Sequence, residues 1–118
     1  MRFMFMVRSA HTAPPPAKFM EAMHKLADRE IKAGRMVDSG ALMPLATGAQ
    51  VRITDGRLSV LDGPFVEAKE VIGGYAIFEL KGKEEAVAAV TEFMQLHKDY
   101  FPGWEGTCEI RAFTQAGP

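Results

Sequence analysis

Arg2-Phe3-Met4-Phe5-Met6-Val7-Arg8 is an apolar run bounded by two arginines near the start of the chain. Read as a strand, it places Phe3, Phe5 and Val7 on one face and Met4 and Met6 on the other, because strand side chains alternate with a period of two. Neither face is polar. A strand of this kind must be covered on both sides, so the sheet that contains it needs something packed against each face.

Outward from that strand, Thr12 and the prolines Pro14, Pro15 and Pro16 form a stiff lead-in suited to a first helical turn. A helix is predicted from about residue 16 to 33. Its stripe is Phe19, Met23, Leu26, Ala27 and Ile31, spaced by threes and fours. Gly34 is placed to end it in the left-handed conformation. A second strand follows over about 35–42, broken near Gly40 and closed by Pro44. Residues 50–53 and 57–61 then alternate around Thr54-Asp55-Gly56, and Asp-Gly between alternating segments is a strong hairpin signal. Asp62-Gly63-Pro64-Phe65 reads as a turn.

A strand over 74–80 sets Ala76, Phe78 and Leu80 against Tyr75, Ile77 and Glu79. A second helix, about 83–98, carries Ala86, Val87, Val90, Phe93, Met94 and His97 on one stripe. Glu84 and Glu85 at its start and His97 and Lys98 at its end match the helix dipole. The last strand, about 106–113, alternates Cys108, Ile110 and Ala112 with Glu109, Arg111 and Phe113.

The order is β-α-β, a hairpin, then β-α-β. This predicts an α+β, ferredoxin-like subunit, an antiparallel sheet with both helices on one face. The other face would hold Met4, Met6, Tyr75, Ile77 and Phe113, too apolar for water. Back-to-back pairing in a twofold homodimer covers it economically; the inserted hairpin folding over that face is the alternative.

Length and composition agree with a modest core. The 118 residues suit one domain spanning 1–118, able to fold without staples. A net charge of −1 with well-mixed signs argues against nucleic acid or an anionic membrane as partner. The single cysteine, Cys108, rules out an intrachain disulfide and suits a reducing, cytoplasmic setting. No stretch approaches the ~20 apolar residues of a membrane span. The three histidines share no ligand spacing, so neither a metal site nor a cofactor is predicted.

Val60-Leu61-Asp62-Gly63-Pro64-Phe65-Val66-Glu67-Ala68-Lys69-Glu70, continuing to Gly73-Gly74-Tyr75, resembles the signature of the DGPF branch of the YCII-related family. Arg2-Phe3-Met4, Val51-Arg52-Ile53 and Glu109-Ile110-Arg111 are similar to that branch as well. The resemblance implies a dimeric α+β barrel of ferredoxin-like subunits. It also implies kinship with small-molecule enzymes such as ring-degrading isomerases and dehydrochlorinases. Branch members are often encoded beside extracytoplasmic-function sigma factors, which implies a non-enzymatic regulatory or protein-interaction module as the alternative. The wider group's His–Asp dyad does not carry over. The region where its histidine would fall reads Ala17-Lys18-Phe19-Met20, His11 and His24 are out of place, and Asp99 alone could match the aspartate.

Several side chains could carry chemistry, each with a simpler role beside it. Asp62 either closes an Asx-type turn or serves as a base or orienting carboxylate. Glu67, near Lys69 and Glu70, is either a solvated loop charge or the motif's second carboxylate. Gly73 and Gly74 allow a bulge or a close backbone approach, and more weakly an anion-binding nest. Glu109 and Arg111 share the helix-free face, as an interface ion pair or as a fork for an anionic ligand. His97 is expected to cap or stabilise its helix end, and Cys108 to be an inert packed thiol. The expected function is a cofactor-independent small-molecule enzyme or ligand-binding protein. Asp62, Glu67 and Glu109 are its catalytic candidates. Arg111, Tyr75, Gly73 and Gly74 are its contacts to a small anionic or aromatic ligand.

Overall fold

The doubly apolar opening strand lies inside a four-stranded sheet. The computed structural model describes residues 1–62 and 70–114. In chain order its elements are β1 (Arg2–Ser9), α1 (Ala17–Lys32), β2 (Met36–Ala41), β3 (Ala49–Thr54), β4 (Arg57–Asp62), β5 (Val71–Glu79), α2 (Lys83–Tyr100) and β6 (Gly106–Ala112). A short 3-10 turn at Leu45–Thr47 leads into β3. The large sheet has the order β2-β5-β1-β6 and every pairing in it is antiparallel. That arrangement is compatible with the ferredoxin-like plan.

The register fixes the two faces. Phe3 lies opposite Phe78 and Ala112, and Phe5 opposite Ala76 and Ile110. Phe3, Phe5, Phe78 and Leu80 join Ala86 and Val90 of α2 in the buried core, with the Phe5 and Phe78 rings 4.8 Å apart. Each such side chain contributes about 1.5–3 kcal/mol by leaving water. Val87, expected on the stripe of α2, is exposed, while the small Ala89 is half-buried against the core.

The stripe of α1 is displaced in the same way. Phe19 is buried, but Ile31 is exposed and Glu30 is buried in its place, at 4% exposure. An unpaired carboxylate there would be costly. Glu30 instead accepts from Arg35 Nε at 2.5 Å and from Arg29 Nη2 at 3.1 Å. Arg29 also forks onto Glu92 of α2 at 2.5 and 2.8 Å. These hydrogen bonds, to Glu92 first and Glu30 second, raise the Arg29 pKa, and Arg29 in turn lowers that of Glu92. One chain of alternating charge thus links α2, α1 and the turn into β2. Gly34, at φ +76°, makes that turn.

Beyond the charged chain, an aromatic cluster joins the start of α1 to the end of α2. The His97 ring lies 4.7 Å from Phe19, 4.7 Å from Phe93 and 4.3 Å from Trp104, and Phe101 extends the cluster toward His11. His97 Nδ1 sits 3.1 Å from the Phe93 carbonyl oxygen. Its main role is therefore packing; burial pushes its pKa down and disfavours the charged form that a dipole role would use.

The hairpin stands apart. β3 and β4 pair only with each other, as a separate two-stranded sheet. Asp55 and Gly56 join them with φ of +53° and +76°, the primed turn that suits a two-residue hairpin loop. The ribbon makes no substantial contact with any other described element, so it does not fold over the helix-free face.

Three expectations change. β2 runs unbroken through Gly40; its irregularity falls between Met36 and Asp38, leaving Val37 as the extra residue. β6 ends at Ala112, before Phe113. Asp62 is the last residue of β4, paired with Ala49, because the hairpin ladder carries on past Leu61. The rest of the expected turn, Gly63-Pro64-Phe65, lies outside the described residues.

Because His97 is held neutral by burial, the unfolded chain takes up a proton there before the folded one does. Stability is full above the unfolded value of about 6.5 and falls as pH drops from there toward the lower folded value. Melting curves from pH 8 to about pH 5 should show the His97→Phe variant losing less stability on acidification than the parent. Parallel profiles would refute this account.

Candidate functional site

Two places bring chemistry-bearing side chains together, one on each side of the sheet. On the helix-free face, Met6 of β1 lies between Tyr75 of β5 and Glu109 of β6, while Met4 lies between Ile77 and Arg111. Glu109 accepts from Arg8 through Oε1 and from Arg111 Nη1 at 3.3 Å through Oε2. The two arginines and one carboxylate leave a net positive charge. Arg111 is 70% exposed, so its remaining N–H groups face solvent. Such a fork suits a carboxylate.

Across Met6, Tyr75 donates to Asp38 Oδ2 at 3.3 Å. The charge of Asp38 raises the phenol pKa, helped by burial and the hydrogen bond, so Tyr75 stays protonated and acts as a donor. Gly40 makes this possible. It lies opposite Tyr75 in the β2–β5 ladder, and a Cβ there would come within 2.8 Å of Tyr75 Cε1.

On the other side, α1 stands off the sheet and leaves an apolar cavity of about 420 Å³. Phe5, Phe78 and Cys108 line the sheet side, Met23 and Leu26 the side of α1, and Ala89 and Phe93 the side of α2. Ser39, Gly40, Ala41, Gly74 and Tyr75 line it toward β2. Glu30 and His24 supply the charged and titratable side chains of the lining from α1. Burial pushes the Cys108 thiol up to about 11, which keeps it protonated and unreactive.

The structure brings together only some of the residues that the sequence singles out. Glu109 and Arg111 meet. Tyr75 and Gly74 line the cavity, and Gly73 is the bulged residue, since Val7 pairs with Gly74 and Arg8 with Ile72. The Gly73 carbonyl is still used, accepting from the Leu42 N–H at 2.9 Å. Asp62 sits on the ribbon, in a different sheet from Glu109 and Arg111. Glu67, with Lys69, lies outside the described residues.

Sequence reasoning missed Arg8, Asp38, Gly40 and Glu30. Arg8 was within reach, since it shares the alternation of Met4 and Met6. Asp38 and Gly40 meet Tyr75 only through a ladder shifted at Val37, and no local pattern carries that shift. Among the described residues no group of three or more His, Cys, Asp or Glu is arranged to hold a metal ion. Among the same residues no helix is long and apolar enough to cross a membrane.

Replacing Asp38 by Asn removes the charge that raises the Tyr75 phenol, so its pKa should fall toward the ordinary value. Gly40→Ala should act in the same direction by displacing the ring. Phenolate absorbance against pH, measured in a Tyr100→Phe background, reads this; an unchanged Tyr75 titration in both variants would show that the pair is not formed.

An uncharacterised protein of Rhizobium meliloti (strain 1021) is 27% identical to this chain over 81 residues. The alignment covers 69% of this chain, which spans 65% of the length of that curated relative. The YCII-related domain pattern matches residues 1–96, from β1 through most of α2. By that match, which takes in β1, β2 and β5 of the large sheet and stops before β6, the chain belongs to the YCII-related domain family.

Proposed function

We propose that the chain is a small-molecule protein of the DGPF branch of this family. In this reading it is cytoplasmic, works as a homodimer through its helix-free face, and binds a compact aromatic or carboxylate-bearing ligand. The cavity between α1 and the sheet carries the proposal. Its volume of about 420 Å³ falls within the range of small-molecule sites, and its mostly apolar wall with a few polar groups is the usual lining of one. The apolar wall favours a ring or short aliphatic body. Ser39 of β2 and Glu30 and His24 of α1 supply the polar groups of that wall, whereas the Tyr75 phenol lies on the helix-free face, bonded to Asp38.

The dimer rests on the other face. Met4, Met6 and Ile77 face away from both helices, and the chain's own hairpin does not cover them. Two such faces together complete a dimeric α+β barrel.

Within this reading Gly74 and Tyr75 contact the ligand along the strand's main chain, the Tyr75 ring pointing to the other face, and the Gly73 bulge shapes the strand beneath them. Arg111, on the helix-free face, is proposed to pair with a separate anionic group at the rim of the dimer interface, apart from the cavity's ligand. Glu109 holds Arg8 and Arg111 in place through its two carboxylate oxygens. Cofactor-free proton transfer is the chemistry proposed for the carboxylates Asp62, Glu67 and Glu109, to be tested by their amide variants.

A thermal-shift screen with phenols, indole, benzoate and salicylate tests the cavity. A ligand at ten times its Kd adds about 1.4 kcal/mol, a rise of about 5 °C in Tm for a chain of this size. Met23→Trp, which fills the cavity from α1, should keep the fold and abolish the shift. If no compound stabilises the parent, or if the filled variant responds equally, the cavity is not the binding site.

A further inference from the structure

The β3–β4 ribbon is the least satisfied part of the molecule. Its register puts Val51 opposite Val60 and Ile53 opposite Leu58 on one face, which ends at the Ala49–Asp62 pair, while Gln50, Arg52, Thr54, Arg57, Ser59 and Leu61 occupy the other. The four aliphatic side chains of the first two pairs are 69–73% exposed. A two-stranded ribbon is marginal in water by itself, and one with a continuous aliphatic face is also an association surface. The ribbon also widens the molecule. The radius of gyration is 16.3 Å, against about 13.5 Å for a compact chain of this length.

We infer that the ribbon is an exchanged arm: in the homodimer, its aliphatic face docks on a second copy of this chain, and the partner's ribbon docks in return. The inference rests on the homodimer reading and adds a second region to the interface.

Area argues for it. The helix-free face is four strands wide and about seven residues long, a planar footprint of about 500 Å². A stable interface takes about 800 Å² from each partner. The ribbon face measures about 20 by 10 Å. Counting both the ribbon a copy donates and the surface it lends to its partner's ribbon, each copy contributes about 900 Å². Measured flat, which understates accessible area, a sheet-only dimer lies at the small end of the usual range and the exchanged dimer well inside it.

The landing surface is on the same chain. Val37, Leu42 and Met43, at β2 and just beyond it, are exposed aliphatic or thioether side chains with the same character as the ribbon face. Charge permits self-association too. On the ribbon Arg52 and Arg57 balance Asp55 and Asp62, and on the sheet face Arg8 and Arg111 balance Glu109 and Asp38. Superposing two copies therefore meets no like-charge field. The ribbon face has no aromatic group for base stacking and no cationic surplus for nucleic acid or anionic lipid.

Sedimentation equilibrium of the full chain tests the arm through three variants. Ile53→Lys with Val60→Lys alters the aliphatic face. Ser59→Lys alters the opposite face as a control. Met6→Arg alters the sheet face. Docking predicts that the double variant weakens dimerisation at least tenfold while Ser59→Lys leaves it within twofold. A dimer broken by Met6→Arg but untouched by the double variant overturns the arm and keeps the sheet-face dimer. A monomeric parent overturns both.

Hydrogen exchange of the unaltered chain gives a second readout. Amides of residues 49–62 should gain protection with rising protein concentration; equally fast exchange at all concentrations, in a sample that is dimeric, also overturns the arm.

Discussion

Most of this structure follows from one constraint, that β1 is apolar on both faces and can lie only inside a sheet with cover above and below. Placing it between β5 and β6 satisfies its backbone on both edges. Phe3 and Phe5 then face α2, and Met4 and Met6 are left to the side without helices. The core, the cavity and the helix-free face are consequences of where that strand sits.

The two helices meet this sheet unequally. α2 presents Ala86 and Val90 directly to Phe3, Phe5 and Phe78, and its small residues allow close approach. α1 is tied to α2 by the Arg29–Glu92 fork and by Phe19 against His97, and to the turn into β2 by Glu30 and Arg35. Its attachments lie toward its ends and along its side toward α2. The space between them is the cavity, so the opening is framed by the contacts that hold the helix off the sheet.

Polar chemistry collects where the pleat puts it. Glu109 and Arg111 fall on one face because they are two apart, and Arg8 joins them from the neighbouring strand. Tyr75 and Asp38 meet because β2 carries an extra residue at Val37 and a glycine at position 40. The aliphatic ribbon is an exception to this order. Its alternation is regular and its turn is well formed, yet the chain itself supplies no cover for its apolar side.

The sequence alone determined the order of elements, the Asp55-Gly56 turn, the faces on which the residues of β1, β5 and β6 lie and the placement of charge at the ends of α2. All of these are local, set by alternation, turn stereochemistry and the helix dipole. Its family motif also led to the YCII-related family, although residues 63–69 of that motif lie outside the described residues. Tertiary structure decided the rest. Glu30 is buried and Ile31 exposed because the roll of α1 is set by which guanidinium groups lie within reach, and no helical period records that. Asp62 belongs to a strand and stands away from Glu109 because the hairpin pairs with itself, not with the sheet. The Tyr75–Asp38 pair depends on a one-residue shift between strands far apart in sequence, and the cavity on how far one helix stands from its sheet. Those are long-range packing outcomes, and only the assembled chain expresses them.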